Sequence, residues 1–265
     1  MFKARLLMTL VLVPLVLAAL YKLPNSYFAI ATLALSGIML LEWQQFVSLT
    51  EVPSVWGKMT ILLLGTLLVA HFWNLFIYLD IVFWCFAIYA VISYPKSISK
   101  WDHNGFIVMA AWVLVGVFAG ILVTLQADDF GKNQLLCVLL IVWSADIGAY
   151  LVGKRWGAHK MIPQVSPGKS WEGLFGGIGL AMIVGWIETI WMNPFSTTQW
   201  MIVVFLTALI SVIGDLWMSV LKRRSNLKDT GHLIPGHGGI LDRLDSLLAS
   251  LPVFYFCSNY LFGMS

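Results

Sequence analysis

Apolar residues run along this chain in long unbroken blocks rather than in alternation. Blocks of about 20 residues recur from end to end, and ~20 helical residues rising 1.5 Å each cross a hydrocarbon layer of ~30 Å. In lipid the backbone must satisfy itself, as helices or as a closed barrel, and continuous patterning selects helices. The pattern predicts spans at 5–21, 27–47, 59–75, 77–94, 105–126, 134–153, 173–192, 200–221 and 244–263. The expected fold is thus an all-α polytopic membrane protein with about nine transmembrane helices. The least marked division falls near Asn74, inside the apolar run 59–94, because one span cannot absorb about 36 residues. Lys3 and Arg5 followed by "LLMTLVLVPLVLAALY" resemble a signal peptide but lack a small-x-small cleavage site, so this stretch is read as an uncleaved first span.

Charge orients these spans. Numbered alternately, the connections divide the 16 Lys and Arg residues 14 to 2, with only Lys22 and Lys132 on the minority side. The positive-inside rule then predicts a cytoplasmic amino terminus, and the expected location is a bacterial inner membrane. Fusing 59–94 into one span would put the early and late basic loops on opposite sides. Composition agrees: at 60% hydrophobic and 11% charged, 265 residues could not bury their apolar surface in water. Cys85, Cys137 and Cys257 stand singly in apolar runs, as small packing residues. No repeat or soluble domain is evident. Residues 1–100 are expected to supply amino-terminal transmembrane helices, and 101–265 a catalytic transmembrane region. Its connections 154–172 and 222–243 hold 9 of the 16 basic residues, on the cytoplasmic side, where anionic lipid or a nucleotide would be met.

Charged residues inside spans are costly and ask for a reason. Asp146 lies in "VWSADIGAYLVG", where it shares a helix face with Tyr150. Asp215, Ser219 and Lys222 follow at i, i+4 and i+7, so one face runs from carboxylate to hydroxyl to ammonium. "VSPGKSWEG" sets Ser166, Lys169, Ser170 and Glu172 beside glycines at a helix start, where backbone N–H groups can approach an anion. A Walker A reading of "GKS" fails, because the required upstream glycine is Pro163. "PGHGGILDRLDS" offers His237, Gly238 and Gly239, then Asp242, Arg243 and Asp245, with Lys228 upstream. Acids in the first turn also suit an ordinary helix start, which accounts for Asp245 better than for His237, Arg243 or Lys228. Neither His232 nor His237 has a zinc-type partner. Carboxylates suit Mg²⁺ and cations suit phosphate oxygens, so the residues describe an intramembrane enzyme acting on a phosphate-bearing lipid or nucleotide.

The stretch "SVLKRRSNLKDTGHLIPGHGGILDRLD", 219–245, resembles the signature of the phosphatidate cytidylyltransferases, the CDP-diacylglycerol synthases. "ADIGAYLVGKRWG" and "SPGKSWEGLFGG" are similar to that family's other polar blocks, and length and span number fit throughout. The resemblance implies transfer of the CMP moiety of CTP to phosphatidate, with pyrophosphate released and Mg²⁺ as cofactor. Carried over residue by residue, it puts the metal on Asp215 and Asp242, and phosphates on Lys222, Arg223, Lys228, Arg243, Lys169 and Ser166. Asp146 would share the metal or orient a lysine, and Asp245 and His237 match the motif. The implied partners are CTP, phosphatidate and the bilayer, with no nucleic acid. Gly116-x-x-x-Gly120 would suit a homodimer contact. Two other classes share these features: another lipid phosphotransferase, such as a CTP-dependent polyprenol kinase, and a transporter with glycine-interrupted helices.

Overall fold

A computed structural model describes residues 2–47, 55–192, 196–231 and 238–263, with side chains from residue 11 onward and excluding 55 and 56. Nine long helices are present among the described residues: α1 (Phe2–Lys22), α2 (Asn25–Trp43), α3 (Val55–His71), α4 (Trp73–Ile92), α6 (Asn104–Gln126), α7 (Asp129–Trp156), α8 (Trp171–Met192), α9 (Thr197–Arg224) and α10 (Leu241–Tyr255). A single turn, α5 (Ile98–Trp101), precedes α6, and a π-helical stretch (Phe256–Leu261) extends α10. The apolar run 59–94 breaks at Phe72, two residues before the expected point. Among the described residues, strands occur in the connection 154–172. There β1 (Lys160–Ile162) and β2 (Ser166–Ser170) form an antiparallel hairpin too short to leave an alternating signature.

Among the described residues, six helices are long and apolar enough to cross a membrane: α2 with its 3₁₀ extension to Phe46, α4, α6, α7, α8 and α9. Large apolar side chains such as Leu15, Ile30, Leu64, Val82, Phe175 and Ile190 face outward, as lipid permits and water does not. The chain is a multi-pass membrane protein. α6 is the most buried of the candidate spans and packs against α2, α3, α4, α7 and α10.

Lipid gives apolar side chains no reason to associate, so close backbone approach through small residues has to hold such helices together. The glycines show where this happens. A carbon added at Gly177 of α8 would lie 2.6 Å from the Ala145 carbonyl oxygen of α7, and one at Gly148 of α7 would lie 2.5 Å from the Gly176 carbonyl oxygen. Gly214 of α9 meets α10 in the same way at Asp245 and Ala249. Gly116 and Gly120 abut Val69 of α3 and Trp73 of α4. That motif is used within one chain, so it lends no support to a homodimer.

The helix ends gather at two opposite poles. At one, Tyr21 donates to Asn133 (3.1 Å) and Asn25 to the Gln126 side chain (3.0 Å), while Gln126 donates to the Leu20 and Leu23 carbonyls. At the other, Lys58 donates to the Val47 carbonyl, and Arg224 to the Phe46 carbonyl (2.8 Å) and the Asp102 carboxylate. An aromatic cluster of Phe83, Phe86, Trp101, Phe106 and Trp217 packs α4, α5, α6 and α9 together near this second pole. The first pole is neutral and amide-rich, apart from Lys22, Asp128, Asp129 and Lys132. The second is the basic pole.

Candidate active site

Three elements build the site at the basic pole. The last turns of α9 bring Asp215, Ser219, Lys222 and Arg223 to that end. The β1–β2 hairpin lies along them: Arg223 donates through Nε to the Val165 carbonyl (3.3 Å), and Lys169 Nζ to the Val212 carbonyl (3.2 Å). α10 begins beside α9, held close by Gly214.

Each sequence-predicted metal acid is held by a lysine. Asp215 Oδ2 pairs with Lys169 Nζ at 2.7 Å, and Ser219 donates to Oδ1 at 3.5 Å. Asp242 Oδ1 pairs with Lys222 Nζ at 2.6 Å, while its Oδ2 accepts the Thr230 and Gly239 amides at 2.7 and 3.1 Å. Lys222 therefore reaches across to α10 rather than along its own helix face. Gly238 has φ of +80°, and a side chain there would meet Asp242 Oδ2 at 2.8 Å. Asp242 precedes the apolar part of α10. Burial pushes its carboxyl up, but the Lys222 hydrogen bond and the two amides outweigh this and hold it below the usual carboxylate range.

Asp215 also lies within electrostatic reach of buried Asp245 and of Asp146, and Asp146 is within reach of Arg243. Thus α7, α9, α10 and the hairpin contribute four carboxylates and four cations to one region. Among the described residues no three His, Cys, Asp or Glu groups stand close enough to form a ready-made metal cage. Ser166 opens β2 half-buried, and Lys228 stands exposed on the connection after α9. His232 and His237 lie outside the described residues.

Some polar residues of these blocks have structural roles instead. Ser170 accepts the Gly173 amide at the start of α8, and Glu172 ties α8 to the His159 ring and amide (2.6 and 3.1 Å). Tyr150 accepts from Lys154 rather than meeting Asp146. A groove of about 730 Å³ lined by His159, Lys160, Trp171, Glu172 and Phe175 opens beside the hairpin, apart from the paired acids.

Sequence reasoning missed one group. Glu42, at the end of α2, is buried and accepts from the Ile240 amide (2.9 Å), the Leu241 amide (2.8 Å) and the Thr230 hydroxyl (3.0 Å). Gln45 donates to the Thr230 carbonyl. The signal was present, because Glu42 is the only acid in the first 50 residues and falls inside an expected span.

Comparison with known proteins adds an independent line. The sequence pattern of the cytidylyltransferase family matches residues 3–261. The phosphatidate cytidylyltransferase of Haemophilus influenzae is 37% identical over 96% of this chain and 97% of its own length. That of Pseudomonas aeruginosa is 33% identical over 96% of both chains. That of Bacillus subtilis is 35% identical over 64% of this chain and 65% of its own.

Proposed function

The chain belongs to the cytidylyltransferase family, and on that premise we propose that it makes CDP-diacylglycerol and pyrophosphate from CTP and phosphatidate. A phosphatidate oxygen attacks the α-phosphorus of CTP, forming one P–O bond as the bond to pyrophosphate breaks. Both reactants are anions, so the site has to suppress their repulsion before they can meet. The observation that carries this reading is the pairing of Lys169 with Asp215 and Lys222 with Asp242 at a helix-end pole that also holds Arg223 and Arg243. Incoming phosphate oxygens would take over the ammonium groups, and the two carboxylates would be released.

Mg²⁺ fits those released groups. It is usually held by one or two carboxylates together with substrate phosphates, so it needs no three-acid cage. Asp215 and Asp242 would hold it, with Asp146 and Asp245 close by. When bound it supplies charge neutralisation between the reacting phosphates. Lys169, Lys222, Arg223, Lys228, Arg243 and Ser166 orient phosphate oxygens, whereas Gly238 and Gly239, expected beside the phosphates, instead pack against Asp242 and Glu42.

The nine long helices all span the bilayer, which is the bacterial inner membrane, with the amino terminus and basic pole in the cytoplasm. The 14 to 2 division of Lys and Arg supports this orientation. Full-length similarity to cytidylyltransferases favours this reading over a transporter or a polyprenol kinase. The test uses purified protein, phosphatidate and CTP labelled at either the α- or the γ-phosphate. Label from the α-position should enter the lipid phase in a Mg²⁺-dependent manner, and γ-label should leave as pyrophosphate. Lipid labelled from the γ-position would mean a kinase and would overturn the reading.

A further inference from the structure

The carboxylate of Glu42 joins both ends of the connection that leads to Asp242. Thr230 precedes residues 232–237 in the chain, and Ile240 and Leu241 follow them. Glu42 Oε1 accepts the Ile240 amide, and Oε2 accepts both the Leu241 amide and the Thr230 hydroxyl. We propose that Glu42 is a positioning residue for nucleotidyl transfer, setting Asp242 and its partner Lys222 through Thr230 and the first turn of α10. The inference rests on the phosphatidate cytidylyltransferase reading.

The hydrogen bonds form one closed frame. Asp242 takes the Thr230 and Gly239 amides, and Glu42 takes the next two amides, Ile240 and Leu241. Thr230 is gripped at three atoms: its amide by Asp242, its hydroxyl by Glu42 and its carbonyl by Gln45. Asp242 therefore cannot shift without disturbing groups that Glu42 holds. The sequence makes room for this contact. A carbon added at Gly239 would lie 2.3 Å from Glu42 Oε2, and one at Gly231 would lie 2.8 Å from Oε1. Negative charge at a helix start also meets the unpaired amides and the positive end of the dipole. Ordinary capping is local, however, and here the acid comes from a helix about 200 residues away, whose 3₁₀ extension also sends Gln45 to the Thr230 carbonyl.

The test measures CTP- and Mg²⁺-dependent turnover of the purified full chain alongside thermal unfolding, for wild type, Glu42→Gln and Glu42→Asp. Gln retains one acceptor but turns an NH₂ toward groups that need one. We expect Glu42→Gln to lower kcat ten- to a hundredfold, with KM for CTP within threefold and an unfolding midpoint within a few degrees. Glu42→Asp, which keeps the charge, should recover part of the loss. A merely structural role gives the reverse: a lowered midpoint and unchanged kcat in the folded fraction. A Glu42→Gln kcat within twofold of wild type overturns the inference and leaves the function standing. A wild type without turnover overturns both. If Glu42→Gln yields no folded protein, near-isosteric Thr230→Val reads the same frame by removing one hydroxyl contact. Its kcat should fall three- to tenfold, and an unchanged kcat again overturns the inference.

Discussion

Asp215 and Asp242 look alike in sequence, yet their surroundings assign them different costs. The Asp215 and Lys169 side chains are 36% and 23% exposed, so their ion pair is screened and contributes ~1 kcal/mol or less. Asp242 is 7% exposed and accepts three charge-assisted or amide hydrogen bonds. Both Asp→Asn variants should lose nearly all turnover, but only Asp242→Asn should also unfold several degrees early, consistent with losing about 1.5–3 kcal/mol. Calorimetry beside the labelled-CTP assay separates the two, and equal midpoints would show that the Asp242 contacts matter little to folding. Lys222→Ala should cost about ten- to a hundredfold in turnover by the same energy scale, and unchanged kinetics would reduce Lys222 to a topology determinant. These carboxylates and lysines were legible in the sequence because charge in an apolar chain is conspicuous. Glu42 obeyed the same rule and was passed over because no motif surrounds it. Ser170 and Glu172 misled in the opposite direction: their motif resembles anion chemistry, while their side chains cap and tether α8.

Hydropathy located the long helices well, since each of the nine begins within five residues of its expected span. It cannot say which face of a helix packs inward. That information lay in the glycines of α7 and α8, and it becomes readable only once two backbones are seen to touch. Gly148→Val should therefore cripple folding, because its side chain would meet the Gly176 backbone at 2.5 Å, and backbone cannot rotate aside. Gly179→Val, where nothing lies within 4 Å, is the matched control. Comparable yields of folded protein from both variants would refute close α7–α8 packing. Hydropathy also overlooks the cost of misplaced acids. Asp80 in α4 and Glu188 in α8 are fully buried, and among the described residues no hydrogen bond of good geometry reaches their carboxyl oxygens, although Trp84 stands near Asp80 and Cys137 near Glu188. Asp80→Leu should raise the unfolding midpoint, since removing an unsatisfied buried polar group relieves about 1–3 kcal/mol. A lower midpoint would reveal a partner for it.

At the scale of the whole molecule, the candidate site lies at one pole among the described residues, and topology predicts which side of the membrane that pole faces. Cysteines introduced at positions 160 and 228, both exposed, should react with membrane-impermeant reagents only from the cytoplasmic side. Labelling from outside alone would reverse the orientation and deprive the site of cytosolic CTP. The Glu42 contacts add a consequence in time. The ribosome makes α2 early and the start of α10 late, and 199 residues separate Glu42 from Leu241. At about 5–20 residues per second, that interval lasts roughly 10–40 s. Throughout it the Ile240 and Leu241 amides that Glu42 accepts are still unmade. Biogenesis thus has a built-in order: the bundle can begin to assemble in the bilayer while the enzyme is still unfinished, and activity begins only when the last helix arrives to meet the second.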